Sequence, residues 1–321
     1  LDGLAAAAGD PLIGWGRMPM DGRNQFNDMG AVFVSEDGRS WRAIPIDHAV
    51  NAANASSISG VAAGPGGYLA FGAVCCEPES PAIWHSPDGS AWTRQEITGD
   101  LAEGGFNPAR TVSGADVWVA AGTDAPGTTG TLWASADGLS WDPVLSVELG
   151  MPGWPMDVAL TADGFVAIAT ITGPDGTHDG AIWTSTDGRD WQRVSEDDPA
   201  LVGQGESRLD RIVPFAGGLA IIGGHGSTED RRQCEGISMI GELPPAPQPP
   251  AISCGWAFDH LWLSPDGGRW QRVDPADARG LHPIEFRKVV GGGPGLVLLG
   301  EASGPESPDT TLFTSPDGIR W

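Results

Sequence analysis

Positive charge is what this chain has least of. Lysine occurs once, at Lys288, and 17 arginines bring the cations to 18 against 42 Asp and Glu, a formal net charge of −24. Such a surface repels a phosphate backbone, and no basic stripe offsets the repulsion. Nucleic-acid binding and docking on anionic lipid are therefore disfavoured. The near-absence of lysine reads as a GC-rich coding sequence rather than as adaptation to salt. No apolar run approaches the ~20 residues of a membrane span. The opening Leu1-Asp2-Gly3-Leu4 run lacks the basic start of a signal peptide, so an exported form has already lost its signal. No stretch carries a helical period. Turn formers are abundant instead: 48 Gly and 27 Pro, in a chain that is still 40% apolar. That is a folded, turn-rich protein, not a disordered one. At ~150 residues per domain, 321 residues suggest two domains, but all-β folds run longer as one.

One motif recurs six times: aromatic-x-Ser-x-Asp-Gly-x-x-Trp, at Phe33–Trp41, Trp84–Trp92, Trp133–Trp141, Trp183–Trp191, Trp262–Trp270 and Phe313–Trp321. The closing tryptophans are 51, 49, 50, 79 and 51 residues apart, so one interval carries an insertion. A period near 50 is the mark of a repeat architecture. The motif reads as a hairpin. A strand runs into Asp-Gly, where Gly tolerates positive φ and the carboxylate accepts turn N–H groups. The next strand is expected to start at the Trp. Arg94, Arg193 and Arg272 lie two residues beyond it, on the same strand face, placed to cover that Trp ring.

Two more strands precede each motif. The nearer is an apolar run, such as Tyr68–Gly72, Val117–Ala121 or Phe165–Ala169, whose lack of polar alternation predicts burial on both faces. The farther is short, as at Val61–Gly64 or Val289–Gly291. Four strands per unit and six units predict an all-β fold: a single six-bladed β-propeller over 1–321, each four-stranded antiparallel blade with its hairpin motif. The expected blades are 1–45, 46–97, 98–146, 147–196, 197–275 and 276–321, with an insertion at 226–256 in the fifth. The last copy stops at Trp321, where the sixth unit's outer strand should begin. Either a few further residues or another chain is expected to complete that blade, which makes self-assembly one reading.

Ser-x-Asp-Gly-x-x-Trp resembles the Asp-box, or bacterial neuraminidase repeat, of sialidase-like β-propellers. The resemblance covers all six units, although the commonest form has one more residue between Asp and Gly. It implies that Asp37, Asp88, Asp137, Asp187, Asp266 and Asp317 are structural and sit opposite the ligand face. That face would be built from the second-to-third-strand loops and the entries to the inner strands. The entries supply Arg110, Asp157, Asp210, Arg211, Glu285, Arg287 and Lys288. Arg110, Arg211 and Lys288 fall at matching places in their units. Three such cations suit a carboxylate ligand, although pairing with the acids beside them is the simpler expectation.

Catalytic signals are weak. The resemblance calls for a Tyr nucleophile, and the lone Tyr68 lies inside an apolar strand. The Phe/Tyr-Arg-Ile-Pro signature of sialidases is absent, and Arg211-Ile212-Val213-Pro214 only echoes it. No spacing selects a carboxylate pair for glycoside hydrolysis. The six His and four Cys show no zinc spacing, so neither metal nor cofactor is expected. Cys234 and Cys254 bracket the insertion and are expected to pair. Cys75 and Cys76 then form a vicinal bridge or stay as thiols, and bridges from the insertion to the unit-two loop are the competitor. Any disulfide argues for an extracellular or cell-surface location. The reading is a secreted, non-catalytic binding propeller with a carbohydrate or protein partner. Its alternatives are a sialidase-like or other glycoside hydrolase and a subunit of an extracellular polymer.

Overall fold

The computed structural model describes residues 3–5, 11–19, 28–46, 56–74, 80–96, 107–124, 127–151, 156–173, 176–194, 200, 206–226, 260–273, 278, 284–292, 295–302 and 310–321. Cys75, Cys76, Cys234, Cys254 and nearly all of the insertion lie outside them. All the regular structure in this set is strand, and no helix is long and apolar enough to cross a membrane.

The strands form six antiparallel sheets. Sheet one is β1 (Gly3–Ala5), β2 (Leu12–Pro19), β3 (Asp28–Ser35) and β4 (Arg42–Pro45). Sheet two is β5 (Ser56–Gly64), β6 (Gly67–Val74), β7 (Ser80–Ser86) and β8 (Thr93–Gln95). Sheet three is β9 (Asn107–Ser113), β10 (Trp118–Thr123), β11 (Thr129–Ser135) and β12 (Asp142–Glu148). Sheet four is β13 (Asp157–Thr161), β14 (Gly164–Thr172), β15 (His178–Ser185) and β16 (Gln192–Arg193). Sheet five is β17 (Glu206–Phe215), β18 (Gly218–Gly226), β19 (His260–Ser264) and β20 (Gln271–Val273). Sheet six has three strands among the described residues: β21 (Ile284–Gly292), β22 (Gly295–Ala302) and β23 (Thr310–Ser315). Each strand pairs with the next in sequence, the meander of a blade, and the six sheets are the blades of a six-bladed β-propeller.

The chain gathers into two compact units. One is Leu1–Val147 with Pro155–Leu160 and Ser185–Trp191; the other is Glu148–Trp154, Thr161–Thr184 and Gln192–Trp321. In the first, Ile13, Val32 and Val34 of sheet one pack on Ile58, Tyr68 and Trp84 of sheet two. The far face of sheet two packs on Trp118, Trp133 and Trp141 of sheet three. In the second, sheets five and six share a core of Val213, Ile222, Leu261, Phe286, Val289 and Leu298. The second strands are buried on both faces, as their unbroken apolar runs require.

The repeated hairpin turns are nearly identical. In each, the Gly N–H donates to the Ser hydroxyl at 2.7–2.9 Å. The Ser hydroxyl in turn donates to the Asp carboxylate. The same carboxylate accepts the N–H two residues on. In five turns the indole N–H of the closing Trp donates to the Gly carbonyl. Every one of the six glycines has φ between +69° and +82°, a region that costs other residues energy. A Cβ at Gly138 would also lie 2.6 Å from Leu69 of the preceding sheet.

One expectation is corrected. Where β4, β8, β12, β16 and β20 follow the turn, each begins one residue after the Trp; at Trp92, Trp141, Trp191 and Trp270 the indole folds back on the turn. The Arg193 guanidinium lies 5.9 Å from the ring of Trp183, its direct partner on the neighbouring strand. Directly opposite residues on paired strands are closer than i and i+2 on one strand.

Candidate functional site

The inner-strand cations sit on a repeated backbone irregularity. In β5, β9, β17 and β21 one extra residue interrupts the pairing: Ser59, Ala109, Asp210 and Arg287. These are β-bulges, which bend a strand and re-aim its side chains. Gly60, Arg110, Arg211 and Lys288 follow the bulges and pair with Phe71, Ala121, Ile222 and Leu299. Arg110, Arg211 and Lys288 thus share one register position. The residue before each bulge faces a glycine: Gly72, Gly122, Gly223 and Gly300.

Asp157 opens β13 and is 3% exposed. Its Oδ1 accepts the Arg110 Nε–H at 3.0 Å and the Val158 N–H at 2.9 Å. Asp210 stands 3.8 Å from the guanidinium of Arg208. Burial pushes the Arg208 guanidinium down from its usual value, and the Asp210 charge opposes this. Arg211 is half-buried, while Arg287 and Lys288 are exposed. Glu285 pairs in register with Glu301.

Two participants were not anticipated. Glu206 and Ser207 open β17 and are 0% and 1% exposed. Arg208 follows them, also partly buried. Their run, Glu-Ser-Arg-Leu-Asp-Arg, has the polar alternation of a solvent-facing strand, and no single-sequence signal separates it from one. Among the described residues no three His, Cys, Asp or Glu side chains gather as a metal site. A cleft of about 280 Å³ lies by the other end of β17, lined by Phe215, Leu263, Arg269, Trp270, Gln271 and Asp317.

Arg110→Ala removes a guanidinium from a buried carboxylate. Loss of one partner from a fully buried pair costs ~3–5 kcal/mol. The Arg110 side chain is 32% exposed, so a loss of about 2–3 kcal/mol is expected. Urea unfolding should read it, with Arg110→Ala/Asp157→Ala losing less than the sum of the single changes.

No family model matches the chain, and no curated protein matches it. Among solved structures it is similar to the β-propeller domain of the Trilobed protease from Pyrococcus furiosus, described as having an open velcro topology. The two are 11% identical over 97% of this chain and 79% of that one, with a TM-score of 0.53. It is also similar to the α-L-arabinofuranosidase Arb93A from Fusarium graminearum, 13% identical over 80% and 93% of the chains, TM-score 0.43. The Aleuria aurantia lectin is 11% identical over 98% and 94%, TM-score 0.41. At these identities the first likeness defines a fold, that of a β-propeller, and leaves the activity to the site itself.

Proposed function

We propose that the chain is a secreted or cell-surface Asp-box propeller that binds a carbohydrate or protein partner without transforming it. The observation that supports this reading is the Arg110–Asp157 pair. A carboxylate held by a guanidinium and a backbone N–H at a strand entry positions its arginine; it is not placed to exchange protons with a substrate. Asp210 is likewise beside Arg208. Cations at one register position, Arg211 and Lys288 on neighbouring sheets, favour a partner that bears carboxylates. The test is a panel of aryl-glycosides, sialosides included, run beside a glycan array with the purified protein. Binding without turnover is expected, with affinity reduced by Arg211→Ala. Clear hydrolysis would overturn the reading.

The alternative is a glycoside hydrolase working through two carboxylates, which turnover on the same panel would establish.

A further inference from the structure

The junction of sheets five and six departs from the packing the repeat uses elsewhere. At three other junctions the glycine of the hairpin turn sits over a large side chain from the second strand of the preceding sheet. A Cβ on Gly89, Gly138 or Gly267 would lie 2.6 Å from Ile13, Leu69 or Val166. Leu69 and Val166 are the third residues of β6 and β14, and the third residue of β18 is Ala220. Alanine is too short to reach the next turn. Gly318 rests instead on Leu263, the residue paired with Ala220, and a Cβ there would lie 2.7 Å from it.

A second departure adjoins the first. Phe215 ends β17 opposite Gly218, where sheets two and six have Gly64 opposite Gly67 and Gly292 opposite Gly295. The Phe215 ring lies over Gly217, so close that a Cβ on that glycine would be 2.6 Å away. A missing side chain on one strand and an added aromatic on another thus frame the cleft of about 280 Å³. Small-molecule pockets hold ~300–1,000 Å³, so this one has room for one side chain and little more.

The lining divides by chemistry. Trp270 is buried and Phe215 and Leu263 are half-buried, which makes an apolar floor. Arg269 and Gln271 are exposed at the rim, and among the described residues neither the guanidinium nor the amide has a hydrogen bond or ion pair within the chain. The acids beside them are engaged. The Asp317 carboxylate accepts the N–H groups of Ile319 and Arg320 at 3.0 and 2.9 Å and lies 2.7 Å from the Arg320 guanidinium. Asp266 accepts the N–H groups of Gly268 and Arg269.

We propose that this cleft captures the C-terminal residue of a partner protein. Its apolar side chain lies on Phe215, Leu263 and Trp270, and its terminal carboxylate meets Arg269 and Gln271. A guanidinium fork without an ion pair matches a carboxylate in geometry and in charge. A neutral sugar needs acceptors as well as donors for its hydroxyls, and the nearby acceptors are taken. The cleft lies at the Phe215 end of β17 and the strand entries at the Glu206 end, so the inference does not depend on the ligand reading given to the entries.

Fluorescence anisotropy with N-terminally labelled hexapeptides on the full chain tests it. The probes are a peptide ending in leucine with a free carboxylate, its C-terminal amide, and a free acid ending in glycine. The leucine acid should saturate below about 1 mM, with the amide and the glycine acid each about tenfold weaker. Arg269→Ala should weaken the leucine acid about tenfold and erase its advantage over the amide. The melting temperature should not change, because that side chain is exposed. Phe215→Gly, which gives sheet five the residue of sheets two and six, should erase the preference for leucine over glycine. No saturation by the leucine acid below about 1 mM, equal binding of acid and amide, or an affinity indifferent to Arg269→Ala would each overturn the proposal. So would Arg269-dependent binding of oligogalacturonate without binding of the peptide, which would make an acidic sugar the occupant.

Discussion

Gly72→Ala is expected to leave the protein unfolded or largely insoluble. The bulge at Ser59 bends β5 so that the backbone before it passes over Gly72. A Cβ there would sit on the carbonyl oxygen of Ser57, with the Cα of Ile58 only 3.0 Å away. Both obstacles are backbone, so no side chain can swing aside. Relief requires the strands to separate and to give up ladder hydrogen bonds in the middle of a sheet. Substitutions of this kind lie in the tail beyond ~4–5 kcal/mol, which is much of the ~5–15 kcal/mol that holds a typical domain together. Gly223→Ala meets the carbonyl of Arg208 in the same way and should fail alike. Gly60→Ala is the control. It lies one residue beyond the bulge with open space around it, and should change stability by no more than about 1 kcal/mol. Soluble yield and urea unfolding of the three variants check the claim; a Gly72→Ala protein as stable as the parent would remove the bulge from the account.

Acid should unfold the protein steeply, through the six repeated carboxylates. The N–H groups of Ser40 and Arg39 hold Asp37 below its ordinary value. At Asp88 the Ser90 hydroxyl and N–H do the same. At Asp137 burial pushes upward, and the N–H groups of Ser140 and Leu139 outweigh it. Asp187 and Asp266 are lowered by the N–H groups that follow them. Asp317 lies far below the usual carboxylate range, through the N–H groups of Arg320 and Ile319 and the Arg320 side chain. A folded-state value below the unfolded one means that the unfolded chain binds protons first. The contribution is thus complete above the ordinary Asp value of 3.8 and is lost as pH falls below it toward the depressed folded values. Urea midpoints should be nearly flat from pH 7 to 5 and fall sharply between pH 4 and 2. Asp137→Asn and Asp317→Asn should each lower stability at pH 7 and shallow the acid limb. A limb unchanged by both would assign acid sensitivity to other groups.

The period, the turns and the apolar second strands were legible because each is local. A glycine three residues after Ser and next to Asp declares its own conformation, and a five-residue run such as Phe165–Ala169 declares its own burial. The strand after each turn was placed one residue early because the fold-back of the Trp ring leaves no mark in spacing. The Arg193–Trp183 contact was not legible because it depends on register, which only the paired strands define. The bulges were invisible for the same reason, although Phe71-Gly72, Ile222-Gly223 and Leu299-Gly300 carried a faint trace of them. Arg110 and Asp157 were both singled out as entry residues, yet they are 47 apart, and nothing local pairs them. Glu206 was missed because charged alternation in a strand ordinarily signals water on that side.

The hydrogen bonds of the Ser-x-Asp-Gly turn all close within nine consecutive residues, from the leading aromatic to the final Trp. A stretch of gene encoding such a loop carries its own fastening wherever it is copied. Tandem duplication can then lengthen the array one unit at a time, and a unit can gain some thirty residues upstream, as the fifth has, while its corner keeps its form. Inheritance of the scaffold and divergence of its connecting loops are in this way uncoupled at the level of single hydrogen bonds.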